Sequence, residues 1–181
     1  MKWVLILIAV FLLIGCAPQS SGPSATSAPF PISQVNSLLV SHGISPSTYR
    51  AYGALSYVPI TREWLSKVVY PEYTSQLARA GLWKDGRPRY SKNTQCNYFA
   101  DKLVTVAQER LFNDRFHSFD STESPAVGVV WYWKGGKTEN AHAINAAVLT
   151  DGVIFFEPQA HVFYEVTLTA AEIRSIWFVR F

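Results

Sequence analysis

Residues 141–159 read AHAINAAVLTDGVIFFEPQ. Two apolar runs, His142 to Leu149 and Val153 to Glu157, flank Thr150-Asp151-Gly152. An Asp-Gly pair between such runs is a strong hairpin signal. With Asp151-Gly152 as a two-residue loop, Thr150 pairs with Val153, Ala146 faces Glu157, Ile144 faces Gln159 and His142 faces His161. Side chains alternate between the faces of a strand, so His142, Glu157, Gln159 and His161 project from one face and Asn145 from the other. Asn145 therefore reads as structural. A carboxylate or amide next to an imidazole fixes its tautomer and orientation. In the ideal register Gln159 lies diagonal to His142 and Glu157 one step further away. Twist or a bulge exchanges their roles, so both are candidates to orient His142. The same face also offers His142, His161 and Glu157 as a conceivable metal set.

Strand signals continue on both sides of the hairpin. Val127 to Trp133 is β-branched and aromatic and ends at Gly135-Gly136. Trp131, Tyr132 and Trp133 read as sheet packing or the wall of a groove. His161 to Val166 forms a further strand, Thr169 to Ser175 a helical turn or two, and Ile176 to Phe181 alternates and closes the sheet. Upstream, Phe99, Leu103, Ala107 and Leu111 recur every four residues, with Ala100 and Val104 beside them. This pattern predicts a core helix of about 18 residues with Thr94 as its N-cap. Cys96 then lies in the first turn. Orphan amide hydrogens and the positive end of the helix dipole stabilise a thiolate there, more so beside a protonated histidine. The same amides bind the oxyanion of a tetrahedral intermediate.

The first half reads as helical. Ser33 caps a short helix carrying Val35, Leu38 and Leu39, and Ser45-Pro46 has the cap-then-proline form of a second. Thr61 caps a third through Trp64, Leu65 and Val68, stopped by Pro71. Thr74 to Ala80 continues in helical pattern to Gly81, and residues 83–93 are polar loop. Helices first and antiparallel strands after give an α+β architecture.

The chain has 181 residues, 49% hydrophobic, 14% aromatic and 16% charged. Such an aromatic content builds a core and excludes a disordered chain. A net charge of +3 with no dense Lys/Arg run offers nothing to nucleic acid. Two cysteines exclude both a disulfide scaffold and a four-cysteine zinc site.

Met1-Lys2 is a short positive start, and Trp3 to Ile14 is an unbroken apolar run. A bilayer-spanning helix needs about 20 such residues, so the run has the size of a signal-peptide core. It ends in Leu13-Ile14-Gly15-Cys16, which resembles the bacterial lipobox. That resemblance implies cleavage before Cys16, a diacylglycerol on its thiol, and an anchor in the bacterial envelope. Ala17 in place of Asp leans towards the outer membrane. Residues 1–15 are then signal peptide, and 16–31 the lipidated cysteine with an uncharged Ser/Pro-rich tether. The folded domain is 32–181. Cys96 is left as a single thiol in a compartment that oxidises paired ones.

The segment QCNYFADKL around Cys96, followed by AHAINAAVLTDGVIFFEPQ, resembles the C-terminal cysteine-protease domain of fungal chimeric lectins, the mushroom agglutinin family. The match covers about residues 94–160: a Cys-x-x-Phe-Ala helix start, a His-Ala-x-Asn strand and a Glu-Pro-Gln strand end. It implies a papain-like fold, with Cys96 as nucleophile, His142 as general base, Glu157 as orienting carboxylate and Gln159 as an auxiliary polar residue. The family's lectin part is absent and residues 32–90 are unmatched. Its activity depends on calcium, whose ligands are not placed in this sequence; no other cofactor is implied. The expected function is a lipid-anchored cysteine peptidase or amidase, its partners a peptide or peptidoglycan amide and the membrane. One alternative is a peptidoglycan endopeptidase of the NlpC type, which also orders Cys on a helix before His on a strand but has a third polar residue that is usually not Glu. The other is a non-enzymatic envelope lipoprotein retaining an inactive hydrolase fold.

Overall fold

Seven consecutive residues, Ala143 to Leu149, are buried. A strand covered on both faces reads as a continuous apolar run, and this one, β8 (Ala141–Leu149), is the middle of the molecule. The computed structural model describes residues 28–92, 95–115, 120 and 122–181. Hence the signal peptide, Cys16, most of the tether and the Thr94 cap lie outside the described residues. Among those described, no helix is long and apolar enough to cross a membrane.

The sheet around β8 has six strands. They are β10 (Glu165–Val166), β9 (Gly152–Phe156), β8, β7 (Val127–Trp133), β11 (Phe178–Arg180) and β2 (Tyr49–Ala51), in that spatial order. All neighbours are antiparallel except β11 and β2, which run parallel. The α+β class therefore holds, with a mixed sheet. The C-terminal strand does not close the sheet at an edge; it is inserted between β7 and β2. Gly128 permits this approach, since a Cβ there would stand 2.4 Å from the Arg180 carbonyl oxygen. Two smaller sheets flank the main one: β1 (Phe30–Pro31), β3 (Ser56–Val58) and β6 (Glu123–Pro125), and the hairpin of β4 (Trp83–Lys84) and β5 (Arg87–Pro88).

Alternation along β8 feeds two cores. Ala147 and Leu149, with Ile154 and Phe156 of β9, pack under α2 (Arg62–Trp64), α3 (Tyr70–Arg79) and α4 (Cys96–Asp114). Ile144, Ala146 and Val148, with Val153 and Phe155, pack on the other side against α1 (Ile32–Ser41) and the last strand. The hairpin register is Leu149↔Gly152 and Asn145↔Phe156. It is displaced by two residues from the expected one, so Thr150-Asp151 is the loop. The Val153 amide, which would have closed a turn at Thr150, donates instead to His42 Nε2 at 3.2 Å. A shift of two preserves every face, so Asn145 points where expected.

Several local expectations change. Helix α1 begins at Ile32 after Pro31, with no side-chain cap, so Ser33 lies inside its first turn. Ser45-Pro46 starts no helix: the chain turns there and Tyr49 is already paired to β11. Arg50 holds that turn by donating to the Ser45 and Pro46 carbonyls. Thr61 caps as expected, accepting from the Trp64 amide at 3.1 Å. Pro71, however, does not stop the helix. Proline lacks the N–H of an α-helical bond and crowds the preceding turn. A π-helical segment, Leu65–Val69, opens that turn, the Tyr70 amide reaching back to the Leu65 carbonyl, and Pro71 falls in the first turn of α3. Residues 83–88 form the β4–β5 hairpin, with Asp85 and Gly86 both at positive φ, 52° and 71°. This is the turn geometry that suits tight hairpins. Finally, β9 ends at Phe156 and β10 spans only Glu165–Val166, which frees residues 157–164 as a loop.

Candidate functional site

Helix α4 starts at Cys96 itself, Gln95 taking the N-cap position with extended backbone and no side-chain cap. Gln95 thus gives no side chain to the first amides of the helix, and the Asn97 amide meets the Cys96 thiol. The helix is fixed to the sheet by Asn145, fully buried, whose Nδ2 donates to the Ala100 carbonyl at 2.9 Å and the Gly128 carbonyl at 3.1 Å. This is the structural role expected of it. Ala100, Val129 and Ala143 form a small apolar cluster, and Cys96 and Trp131 pack against it. The thiol is therefore partly sheltered at the junction of a helix tip and two central strands.

His142 occupies the second position of β8, its register partner Tyr132 meeting it edge-on at 5.8 Å. Its Nε2 lies 2.9 Å from Glu157 Oε2. The side chains of His142 and Glu157 are only 16% and 20% exposed, so this pair is weakly screened. With Nε2 engaged by the carboxylate, Nδ1 is the nitrogen left to face the Cys96 thiol, with which the ring interacts.

Electrostatics push the two partners apart. Burial raises the Cys96 thiol, but the His142 hydrogen bond, the Ala143 amide, the His142 charge and the Asn97 amide together bring it below its ordinary value. Burial lowers the His142 imidazolium, and this is overcome by hydrogen bonds to Cys96 and Glu157 and by their charges, which push it up to about 9. A thiol held below its ordinary value beside an imidazole raised to about 9 favours the thiolate–imidazolium pair over the neutral one. Nearby phenols respond to the same charges: burial, then Glu157 and Cys96, raise Tyr90.

Glu157 sits just past the end of β9 and is held from three directions. Its amide donates to the Tyr164 carbonyl at 3.0 Å. Its Oε1 accepts the Gln159 amide at 3.1 Å. Beneath it, the Tyr73 and Tyr70 hydroxyls donate to the Pro158 and Ala160 carbonyls at 2.9 and 2.6 Å. Tyr70 and Tyr73 are buried on α3, so the helix that Pro71 fails to stop supports the loop that carries Glu157.

Of the residues singled out in the sequence, Cys96, His142 and Glu157 come together. Gln159 does not reach His142; its Oε1 accepts from the Tyr90 hydroxyl, and its backbone, not its side chain, serves Glu157. His161 is turned away and bonds the Gly86 carbonyl at 3.1 Å through Nδ1. A His142–His161–Glu157 metal set is thereby ruled out. Among the described residues no group of three His, Cys, Asp or Glu side chains stands close enough to hold a metal ion, so the calcium implied by the resemblance finds no acidic ligand set there. Tyr70, Tyr73 and Tyr90 were not legible as site residues. Tyr70 and Tyr73 carry only a helical i, i+3 spacing, and Tyr90 lies in a polar stretch.

No protein-family model and no curated protein matches the chain. Among solved structures it is similar in fold to PSL1a, a Polyporus squamosus lectin, in a complex with E64, with 18% identity and a TM-score of 0.56. That likeness covers 84% of this chain and 51% of the other. A Polyporus squamosus lectin bound to the human-type influenza-binding epitope Neu5Aca2-6Galb1-4GlcNAc is 20% identical, with a TM-score of 0.49, over 81% of this chain and 48% of that one. The chain spans about half the length of these neighbours, and the likeness is one of fold.

Proposed function

We propose that the chain is a papain-like cysteine hydrolase that cleaves amide bonds through Cys96, His142 and Glu157. One observation carries this reading: a thiol at the first residue of a helix interacts with an imidazole whose Nε2 is held by a carboxylate at 2.9 Å. Nucleophile, base and orienting group in sequence are what acyl transfer requires. The fold likeness to a lectin chain solved with E64 is compatible with it.

The Cys96 thiolate attacks the amide carbonyl carbon, forming the C–S bond, and the carbonyl π electrons pass to oxygen. Amide hydrogens at the start of α4 hold that oxyanion. The His142 imidazolium gives its proton to the leaving nitrogen as the C–N bond breaks, leaving a thioester and a free amine. Neutral His142 then takes a proton from water, whose oxygen attacks the thioester. The collapsing intermediate expels the Cys96 sulfur and releases the carboxylic acid. Throughout, Glu157 keeps the ring oriented and offsets its charge.

The lipobox-like Leu13-Ile14-Gly15-Cys16 places this enzyme, in the same proposal, on a lipid anchor at the bacterial envelope. The substrate is then a peptide or a peptidoglycan amide. The test is covalent capture by E64, an epoxide electrophile, at neutral pH, with mass mapping of the modified residue. Labelling of Cys96 that disappears in His142→Ala is the expected result. Labelling only in denaturant makes Cys96 a packing residue and the protein a non-enzymatic one. Digestion of casein against purified cell wall then separates a peptidase from an NlpC-type endopeptidase.

A further inference from the structure

Among the described residues, the face of the sheet that carries α4 stays exposed at one end. Register places Trp131 of β7 beside Phe178 of β11, and Phe178 beside Tyr49 of β2. Paired residues share a face, so these three rings form a row across the strands. Trp177 reinforces the row. Its amide donates to the Trp131 carbonyl at 3.1 Å, and its ring lies 5.5 Å from Trp131 and 5.6 Å from Trp133. Tyr49 stacks on Phe178 at 5.6 Å with a 17° interplanar angle. The row starts beside the small cluster of Ala100, Val129 and Ala143, against which Trp131 and Cys96 both pack. It ends in solvent, with Trp177 41% and Tyr49 65% exposed. Helix α4 begins at Cys96, so its backbone covers nothing beyond that point.

Contiguous exposed aromatic surface is uncommon unless something binds there. Cys96 packs on the cluster at one end, so an occupant of the row is a neighbour of whatever the thiol attacks. The ionic side chains that link α4 to β11, Asp101 and Arg180, are bonded to each other, which leaves them poorly placed to receive sugar hydroxyls. Resting on the cysteine-hydrolase reading above, we propose that this row is a specificity subsite. It takes an aromatic or large apolar side chain of the substrate next to the scissile amide, with Trp177 as its main exposed wall.

The test uses three haloacetamides that share one reaction, displacement of iodide by the Cys96 sulfur: iodoacetamide, its N-phenethyl derivative, and N-iodoacetyl-glucosamine. The ratio of the phenethyl rate constant to that of iodoacetamide cancels changes in the thiol itself. In the native chain the ratio is expected to reach about tenfold, the size of one well-stacked ring contact. It falls by about fivefold in Trp177→Ala and in Trp177→Leu, the second variant retaining apolar bulk should the first fold poorly. A ratio near one in the native chain, or one that neither variant changes, overturns the subsite while leaving the nucleophile standing. A glucosamine reagent that outruns the phenethyl one overturns it in favour of a glycan platform. Native Cys96 that resists plain iodoacetamide at neutral pH removes the nucleophile, and the subsite with it.

Discussion

Replacing Glu157 by Gln keeps the size of the side chain and a hydrogen-bonding oxygen for His142 but removes the charge. In the native protein His142 rises from 6.5 to about 9 against an opposing burial effect, through two partners, Cys96 and Glu157. That shift is worth about 3 kcal/mol at ~1.4 kcal/mol per unit. The two partners also offset burial, so losing one of two comparable partners should return more than one unit, and the imidazolium in Glu157→Gln should lose its proton at about pH 8 or below. Two effects follow. The alkaline limb of kcat/KM, set by loss of the proton that the leaving amine needs, moves down by at least one pH unit. The thiol, now facing a less persistently charged imidazole, is less acidic, so the acid limb moves up. The bell narrows from both sides, and the rate at its centre falls by about ten- to a hundredfold. The assay is the pH dependence of kcat/KM on a fluorogenic peptide amide, with the pH dependence of iodoacetamide alkylation alongside. An alkaline limb that stays near 9 in Glu157→Gln, with unchanged peak rate, would refute the claim that this carboxylate holds the imidazolium.

Three further substitutions probe the scaffold. Tyr73→Phe removes a buried hydroxyl bonded to the Pro158 carbonyl; it should cost about 1–2 kcal/mol in urea unfolding and slow Cys96 alkylation as Glu157 loosens. Asn145→Ala removes two buried hydrogen bonds joining α4 to the sheet and should cost about 2–4 kcal/mol, read as a lower denaturation midpoint at unchanged slope. Gly128→Ala puts a Cβ 2.4 Å from the Arg180 carbonyl oxygen and 2.8 Å from the Phe181 ring. Forcing β7 and β11 apart should cost about 1–3 kcal/mol, and a thermal midpoint equal to that of the native chain would contradict the packing.

What the chain declares locally it declares well. The two apolar runs around Asp151-Gly152 and the four-residue period from Phe99 to Leu111 are extended signals, in which many residues point to the same element. A two-residue slip of the hairpin left the faces of the paired residues intact, because only an odd shift turns a strand over, while Gln159 and His161 left that face with the loop after Phe156. Isolated signals fared worse. Ser45-Pro46 resembles a helix start, but the chain there is drawn into a strand pairing with residues more than a hundred positions away. Pro71 resembles a stop, but a π turn makes room for it.

Sequence order and periodicity alone brought a cysteine to a helix tip and a histidine to a strand start. They left open which side chain of Glu157 and Gln159 would meet the imidazole. Tertiary packing decided that, since β9 ends at Phe156 and the loop after it is seated on the Tyr70 and Tyr73 hydroxyls. Periodicity is a property of neighbours along the chain. The place where a strand stops and its loop turns is set by distant groups that satisfy the freed carbonyls, and no local window of residues contains them.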